Sequence, residues 1–205
     1  MNDISPEAYL AQHQEAAKAN PQCGLTRYNY AVALLAQQYL DEAEKELKAA
    51  VSSSPTMSEA YVLLGGICMN REDLEGCLRY NQMAVKAREG FAEGYGNIGF
   101  VHLQWGNLDE AVKALEKAVE LNPKFIQAYT NLANAYLMKG EIDKSIEANQ
   151  KALETEPAFA VAHFNLALAY LKKENKELAG QHCQKAESFG YEVPPEIKKE
   201  IENIE

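Results

Sequence analysis

Several features that accompany enzymes, metal sites and membrane anchors are missing from this 205-residue sequence. It has no CxxC pair and no histidine pattern that would supply four zinc ligands. It also has no glycine-rich phosphate loop of the GxxxxGKS kind. No stretch approaches the roughly 20 apolar residues that a membrane-spanning helix needs. We therefore expect a soluble, cytoplasmic, non-catalytic protein that needs no cofactor and no metal.

Basic residues are also scarce. The chain has 20 Lys and Arg against 30 Asp and Glu, which gives a formal net charge of −10. A nucleic-acid backbone would meet net repulsion, and no local basic patch offsets it. Residues 1–7 have neither a basic flank nor an apolar segment, so a secretory signal is not expected. Nucleic acids and membranes are therefore not expected partners.

What the sequence does contain is a 34-residue repeat without insertions or deletions. The five units are 24–57, 58–91, 92–125, 126–159 and 160–193, and each has a small residue at its eighth, twentieth and twenty-seventh positions. The eighth-position residues are Ala31, Gly65, Gly99, Ala133 and Ala167. Two antiparallel helices approach closely only where side chains are small, and larger neighbours fill the remaining space. The repeat therefore predicts one helical hairpin per unit, stacked on the next.

The clearest unit reads Ala128-Tyr129-Thr130-Asn131-Leu132-Ala133-Asn134-Ala135-Tyr136, followed by Gly140, Ala152-Leu153 and Pro157. This pattern resembles the tetratricopeptide repeat family, and the match covers residues 24–193. The resemblance implies an all-α, right-handed α-solenoid of five helix-turn-helix hairpins. Residues 1–23 continue the phase backwards as an N-terminal half repeat. Residues 194–205 are expected to form a C-terminal capping helix, with Ile197, Ile201 and Ile204 on the face that meets the last hairpin.

Some residues depart from the family pattern. Arg27 and His163 stand at the fourth position, which is aromatic in the other units. Asn81 and Asn149 stand in a column that usually carries a large apolar residue, and we expect them to weaken their hairpins. The four histidines, His13, His102, His163 and His182, are interpreted as packed or surface residues that lie in different repeats. The four cysteines, Cys23, Cys68, Cys77 and Cys183, are interpreted as reduced, small apolar side chains.

In the family resembled, the first helices of successive units line a concave groove. The sixth position of the unit, which faces this groove, is Asn29, Leu63, Asn97, Asn131 and Asn165. An asparagine amide carries donors and an acceptor that match a peptide group. The resemblance implies that asparagines at this position grip bound chains. The alternative is that asparagine is simply common there throughout the family.

These columns give a candidate peptide-binding set. Its members are Asn29, Asn97, Asn131, Asn134, Asn165, Leu63, Phe100, Leu137, Phe164 and Leu168, with Leu103, Met138 and Leu171 among the further apolar residues of the same columns. The leading hypothesis is a protein-interaction module that holds a partner polypeptide segment in the groove. The second is a scaffold or assembly subunit, or a homo-oligomer, that uses the N-terminal helix with Tyr9 and Leu10 exposed. RNA binding conflicts with the charge.

Overall fold

The computed structural model describes residues 5–202, and within that range the chain contains twelve α-helices and no strand. The helices are α1 (Pro6–Ala19), α2 (Gly24–Ala36), α3 (Leu40–Ser53), α4 (Ser58–Asn70), α5 (Leu74–Ala87), α6 (Ala92–Gln104), α7 (Leu108–Leu121), α8 (Ile126–Met138), α9 (Ile142–Thr155), α10 (Ala160–Lys172), α11 (Lys176–Ser188) and α12 (Pro195–Glu202). The predicted all-α class is confirmed. None of the helices within the described range is both long and apolar enough to cross a membrane.

The turn inside each hairpin contains a residue with the same backbone conformation. The residue at the fifteenth position of every unit has a left-handed backbone conformation: Gln38, Glu72, Gly106, Gly140 and Glu174, with φ values of 62°, 61°, 73°, 77° and 59°. A residue in this conformation ends an α-helix, and glycine adopts it without a steric penalty. The first helix of each unit therefore stops at the same place even where no glycine is present.

The chain forms two compact units, and the division falls between Asn97 and Ile98 within α6. In unit 1, α1 contacts α2, the pairs α2/α3 and α4/α5 form hairpins, and α3 contacts α4. Its core is a cluster of buried residues: Ala31, Leu34, Ala43, Leu47, Ala60, Tyr61, Leu64, Ile67, Ala84 and Phe91. The small residues of the repeat thus lie at the centre of the apolar core.

In unit 2, α7 contacts α8, the pairs α8/α9 and α10/α11 form hairpins, and α9 contacts α10. Helix α8 also lies beside α10, so the first helices of consecutive units are neighbours. The need for small residues is direct at Gly99, where an added methyl group would lie 2.5 Å from Leu115 Cγ. Contact at that distance is sterically forbidden, so this crossing point excludes even alanine unless Leu115 moves.

Ion pairs recur between consecutive hairpins. A cation at the end of one first helix meets an aspartate of the preceding second helix in three pairs, Arg71–Asp41, Lys139–Asp109 and Lys173–Asp143, each at 2.6 Å. The aspartates are largely exposed and the pairs are screened by solvent, so each pair contributes little to stability. Apolar burial, rather than these surface charges, dominates the stability of each unit.

Both ends of the described chain pack against their neighbours. On α1, Tyr9 is 42% exposed, whereas Leu10 is half-buried against the core of unit 1. The expectation that Leu10 would be exposed is therefore wrong, because α2 and its neighbours cover it. At the other end, Ile197 and Ile201 of α12 pack against Ala167, Cys183, Ala186 and Val193. Ile204, the third residue of the predicted stripe, lies outside the described residues.

Candidate functional site

Most of the predicted peptide-binding residues lie on α8 and α10. Residues at the second, sixth, ninth and thirteenth positions of a unit are spaced by four, three and four, so they share one face of a helix. On the adjacent helices α8 and α10 these residues form what we call the unit-2 face: Gln127, Asn131, Asn134, Met138, Val161, Asn165, Leu168 and Lys172. Each of them is exposed or half-buried. The face combines carboxamides with apolar side chains, among them Met138 at 54% and Val161 at 38% exposure.

The asparagines of the unit-2 face differ in how strongly they are engaged within the protein. Among the described residues, Asn131 and Asn134 have no side-chain hydrogen-bond partner, so their amides are available to a ligand. Asn165 Nδ2 lies 3.4 Å from the carbonyl oxygen of Thr130, which is longer than an ordinary N–H···O hydrogen bond. A ligand group could therefore displace this contact at small cost.

Several apolar residues of the predicted set are held partly by the core. Leu137 packs beside Ile146, Leu166 and Ala169, and the ring of Phe164 stacks on Tyr191 with the centroids 4.5 Å apart. Phe100 and Leu168 are half-buried. Two further groove-column residues, Leu103 and Leu171, are buried, and their side chains are not available to a ligand. The apolar contribution of the unit-2 face therefore comes chiefly from Met138, Val161 and Leu168.

In unit 1 the predicted residues are Asn29, Leu63 and Asn97, all half-buried. Leu63 packs against the core of this unit. Asn97 Nδ2 donates a 2.9 Å hydrogen bond to Asn81 Oδ1, and Asn81 Nδ2 donates to the carbonyl oxygen of Cys77 at 2.8 Å. Asn81 is fully buried, and these bonds satisfy both ends of its amide. The expected weakening of this hairpin therefore has no support from an unsatisfied polar group at Asn81.

Asn149 occupies the same repeat position as Asn81 and is also fully buried. Its Nδ2 donates to the carbonyl oxygen of Ser145 at 3.0 Å, but its Oδ1 has no partner among the described residues. A buried acceptor without a partner is destabilising. For this hairpin, the structure supplies a reason for the expected weakening.

Two of the four histidines are in direct contact, although they were expected to lie in different repeats. His163 Nδ1 and His182 Nδ1 are 3.0 Å apart in the last hairpin, and His163 Nε2 is 3.0 Å from the carbonyl oxygen of Pro157. Burial, together with the charges of His163 and Lys185, lowers the pKa of His182 to about 4. Burial also lowers the pKa of His163. The lowered pKa values favour the neutral form of both imidazoles.

The cysteines are placed mostly as small core residues. Cys68, Cys77 and Cys183 are buried free thiols, and Cys23 is exposed. Burial raises the pKa of Cys77 to about 11, and it also raises those of Cys68 and Cys183. A thiol with a raised pKa is a poor nucleophile. Within the described residues no group of three His, Cys, Asp or Glu side chains is placed to hold a metal ion.

The family identity follows from the sequence matches. Family models described as tetratricopeptide repeat match residues 10–58, 126–159 and 160–189, and one described as TPR repeat matches residues 99–140. Together they span most of the helical hairpins. The chain belongs to the tetratricopeptide repeat family. Proteins of this family are typically interaction modules, so the coarse prediction of a protein-binding module is supported. No curated protein matches the sequence.

Solved structures share the tetratricopeptide architecture. The protein of "Crystal structure of MamA" is 26% identical with a TM-score of 0.68, over 78% of this chain and 93% of that one. A second is YrrB, described as a TPR protein with an unusual peptide-binding site, at 22% identity and a TM-score of 0.69, over 87% of this chain and 92% of that one. A third, from the APC/C hetero-tetramer Cut9-Hcn1, is 20% identical with a TM-score of 0.81, over 96% of this chain and 39% of that one. The last two likenesses show the fold alone.

Proposed function

We propose that this protein is a non-catalytic interaction module whose first helices hold a segment of a partner polypeptide. The observation that carries the proposal is the unit-2 face. It presents the unengaged amides of Asn131 and Asn134 beside the exposed side chains of Met138 and Val161. An amide can pair with the main chain of any extended segment, and neighbouring apolar side chains supply anchors.

The charge of the face favours an uncharged or weakly acidic segment. Lys172 is the one ionisable side chain among the eight residues that define the unit-2 face. Binding would therefore rest on main-chain hydrogen bonds and apolar burial rather than on ion pairs. The likeness to YrrB, whose structure is described as having a peptide-binding site, is compatible with this proposal.

The test uses a peptide selected on the wild-type protein from a random-sequence display library. Changing Asn131 and Asn134 to alanine removes two neutral hydrogen-bonding groups, each of which contributes about 0.5–1.5 kcal/mol. We expect the dissociation constant, measured by titration calorimetry, to rise roughly tenfold to a hundredfold. The matched control changes Gln82 and Gln150, exposed carboxamides on α5 and α9, and should bind normally. Equal affinities for all three proteins would refute the proposal.

A second candidate function is that of an assembly subunit that docks through α1. Tyr9 favours it, because this ring is 42% exposed and, among the aromatic rings of the described chain, contacts only His13, in a T-shaped arrangement. Replacing Tyr9 by serine would then change the mass of the protein or of its complex in light scattering. An unchanged mass at high concentration would leave the first-helix faces as the sole proposed contact surface.

A further inference from the structure

The two buried asparagines, Asn81 and Asn149, stand at the same position of alternate repeats, yet they have different surroundings. Asn81 Nδ2 donates to the main-chain carbonyl of Cys77, which can only accept. This contact fixes the orientation of the Asn81 amide and directs Oδ1 away from its own helix. Asn97 fills that acceptor with its Nδ2 at 2.9 Å. A chain of two hydrogen bonds thus runs with one polarity: Asn97 donates to Asn81, and Asn81 donates to the Cys77 carbonyl.

The polarity of this chain determines what Asn97 can offer a ligand. Asn81 takes up one of its two Nδ2 protons, so Asn97 can still offer the second proton and its Oδ1, which accepts no hydrogen bond among the described residues. A carbonyl oxygen held in that way recognises a donor, and the donor that recurs along any polypeptide is the main-chain N–H. We propose that Asn81 is a positioning residue that sets Asn97 to accept a main-chain N–H of the bound segment. This inference rests on the proposed function.

Asn149 and Asn165 stand at the positions that correspond to Asn81 and Asn97, but within the described chain no hydrogen bond joins them. Asn149 has the same orientation, with Nδ2 on the Ser145 carbonyl, but its Oδ1 has no partner among the described residues. Asn165, which corresponds to Asn97, is directed instead to the Thr130 carbonyl. A methyl group at Gly65 would lie 2.4 Å from Asn81 Nδ2, and Ala133 carries that methyl group in the corresponding place of α8. Glycine at the eighth position therefore leaves room for the Asn81 amide where it stands, whereas an alanine there would require that amide to shift.

A first experiment needs no ligand. Selective ¹⁵N labelling of asparagine reports the two side-chain amide protons of Asn97, one of which is held by Asn81. In the wild-type protein we expect that proton to exchange roughly tenfold more slowly than its geminal neighbour. Replacing Asn81 by leucine should abolish the difference, whereas Asn149→Leu should leave it unchanged. If Asn97 shows no difference in the wild-type protein, or keeps it in Asn81→Leu, the positioning role is overturned.

A second experiment joins positioning to binding in the full chain. Peptides are selected on the wild-type protein and depleted on the Asn97→Ala variant, so that the retained peptides depend on Asn97. Asn81→Leu should weaken these peptides about as much as Asn97→Ala, roughly tenfold, with no further loss in the double variant. Asn149→Leu is the matched control and should bind normally.

The two ways of failing are distinct. If no peptide survives depletion, Asn97 is not a ligand of the segment, and the positioning proposal fails while binding at the unit-2 face is still tested by Asn131 and Asn134. If the retained peptides bind Asn81→Leu with wild-type affinity, the positioning proposal fails and the proposed function stands. Methylating single peptide nitrogens then identifies the N–H donor. Methylation of that nitrogen should weaken binding to the wild-type protein but should not weaken binding to Asn97→Ala. An equal loss of affinity in the wild-type protein and in Asn97→Ala would contradict the proposal that Asn97 accepts this hydrogen bond.

Discussion

Individual side chains in this protein show how differently one repeat position can be filled. The twenty-fourth position carries Leu47, Asn81, Leu115, Asn149 and Cys183, and the first four are fully buried. The two leucines fill the site by apolar contact alone. The two asparagines must also satisfy polar groups, which Asn81 achieves and Asn149 does not achieve within the described chain.

Replacing Asn149 by leucine should therefore stabilise the protein. The change removes a buried oxygen that lacks a partner, and Leu47 shows that leucine fits opposite an alanine at the eighth position, Ala31. We expect the free energy of unfolding in urea to rise by roughly 1 kcal/mol. Asn81→Leu is the comparison, and it should not stabilise because it leaves Asn97 Nδ2 without its acceptor. A loss of stability in Asn149→Leu would show that the site needs a polar side chain.

His182 predicts an acid-dependent loss of stability. Burial, with help from His163 and Lys185, lowers its pKa from 6.5 to about 4 in the folded protein. Between these pH values His182 binds a proton in the unfolded chain but not in the folded one. Its contribution to the free energy of unfolding is therefore complete above pH 6.5 and is lost as the pH falls towards 4. We expect the free energy of unfolding to fall by roughly 1–2 kcal/mol more in the wild-type protein than in His182→Gln. Parallel pH profiles for the two proteins would contradict this assignment.

At the scale of the helix, the repeat made the hairpins predictable. It did not predict which side chains of neighbouring helices contact each other. Columns of small residues mark helix crossings, and Gly106 and Gly140 mark turns, so the hairpins follow from composition at fixed spacing. Gln38, Glu72 and Glu174 adopt the same left-handed turn without glycine, and only the register of the repeat indicates them.

The contacts that were missed depend on helix pairing and rotamers. His163 and His182 meet because α10 and α11 are antiparallel, a relation that the sequence implies once both residues are assigned to the last unit. The Asn81–Asn97 bond joins successive repeats and depends on the space above Gly65. Likewise, Phe164 and Leu137 belong to columns that face a groove in this family, yet local packing draws them towards Tyr191 and Leu166.

The terminal helix α12 gives a prediction about elements. Ile201 packs on the last hairpin, and Glu200 beside it is exposed. In a stacked array each hairpin is stabilised mainly by its neighbours, so losing this contact should act locally. We expect Ile201→Ala to speed amide hydrogen exchange in α11 roughly tenfold and to leave α8 and α9 unchanged, whereas Glu200→Ala should have no effect. Faster exchange throughout unit 2 would instead indicate one cooperative block.

At the scale of the whole molecule, the family and the all-α class were predictable because five consecutive units repeat one pattern. For the candidate site, the sequence predicted only which repeat positions face the groove. Which residues at those positions are exposed depends on the side chains that pack beside them. The columns supplied Asn131, Asn134 and Met138, which the structure leaves open, but also Leu103 and Leu171, which it buries. The central claim is therefore that the first-helix faces, and not the second helices, hold the partner segment.

Two methionines allow that claim to be tested in one spectrum. Met138 is 54% exposed on α8, and Met83 is 40% exposed on α5, a second helix. In a titration of ¹³C-methyl-methionine protein with the selected peptide, we expect the methyl resonance of Met138 to shift and that of Met83 to stay in place. A shift of Met83 with Met138 unmoved would contradict the account and place the partner on the second helices.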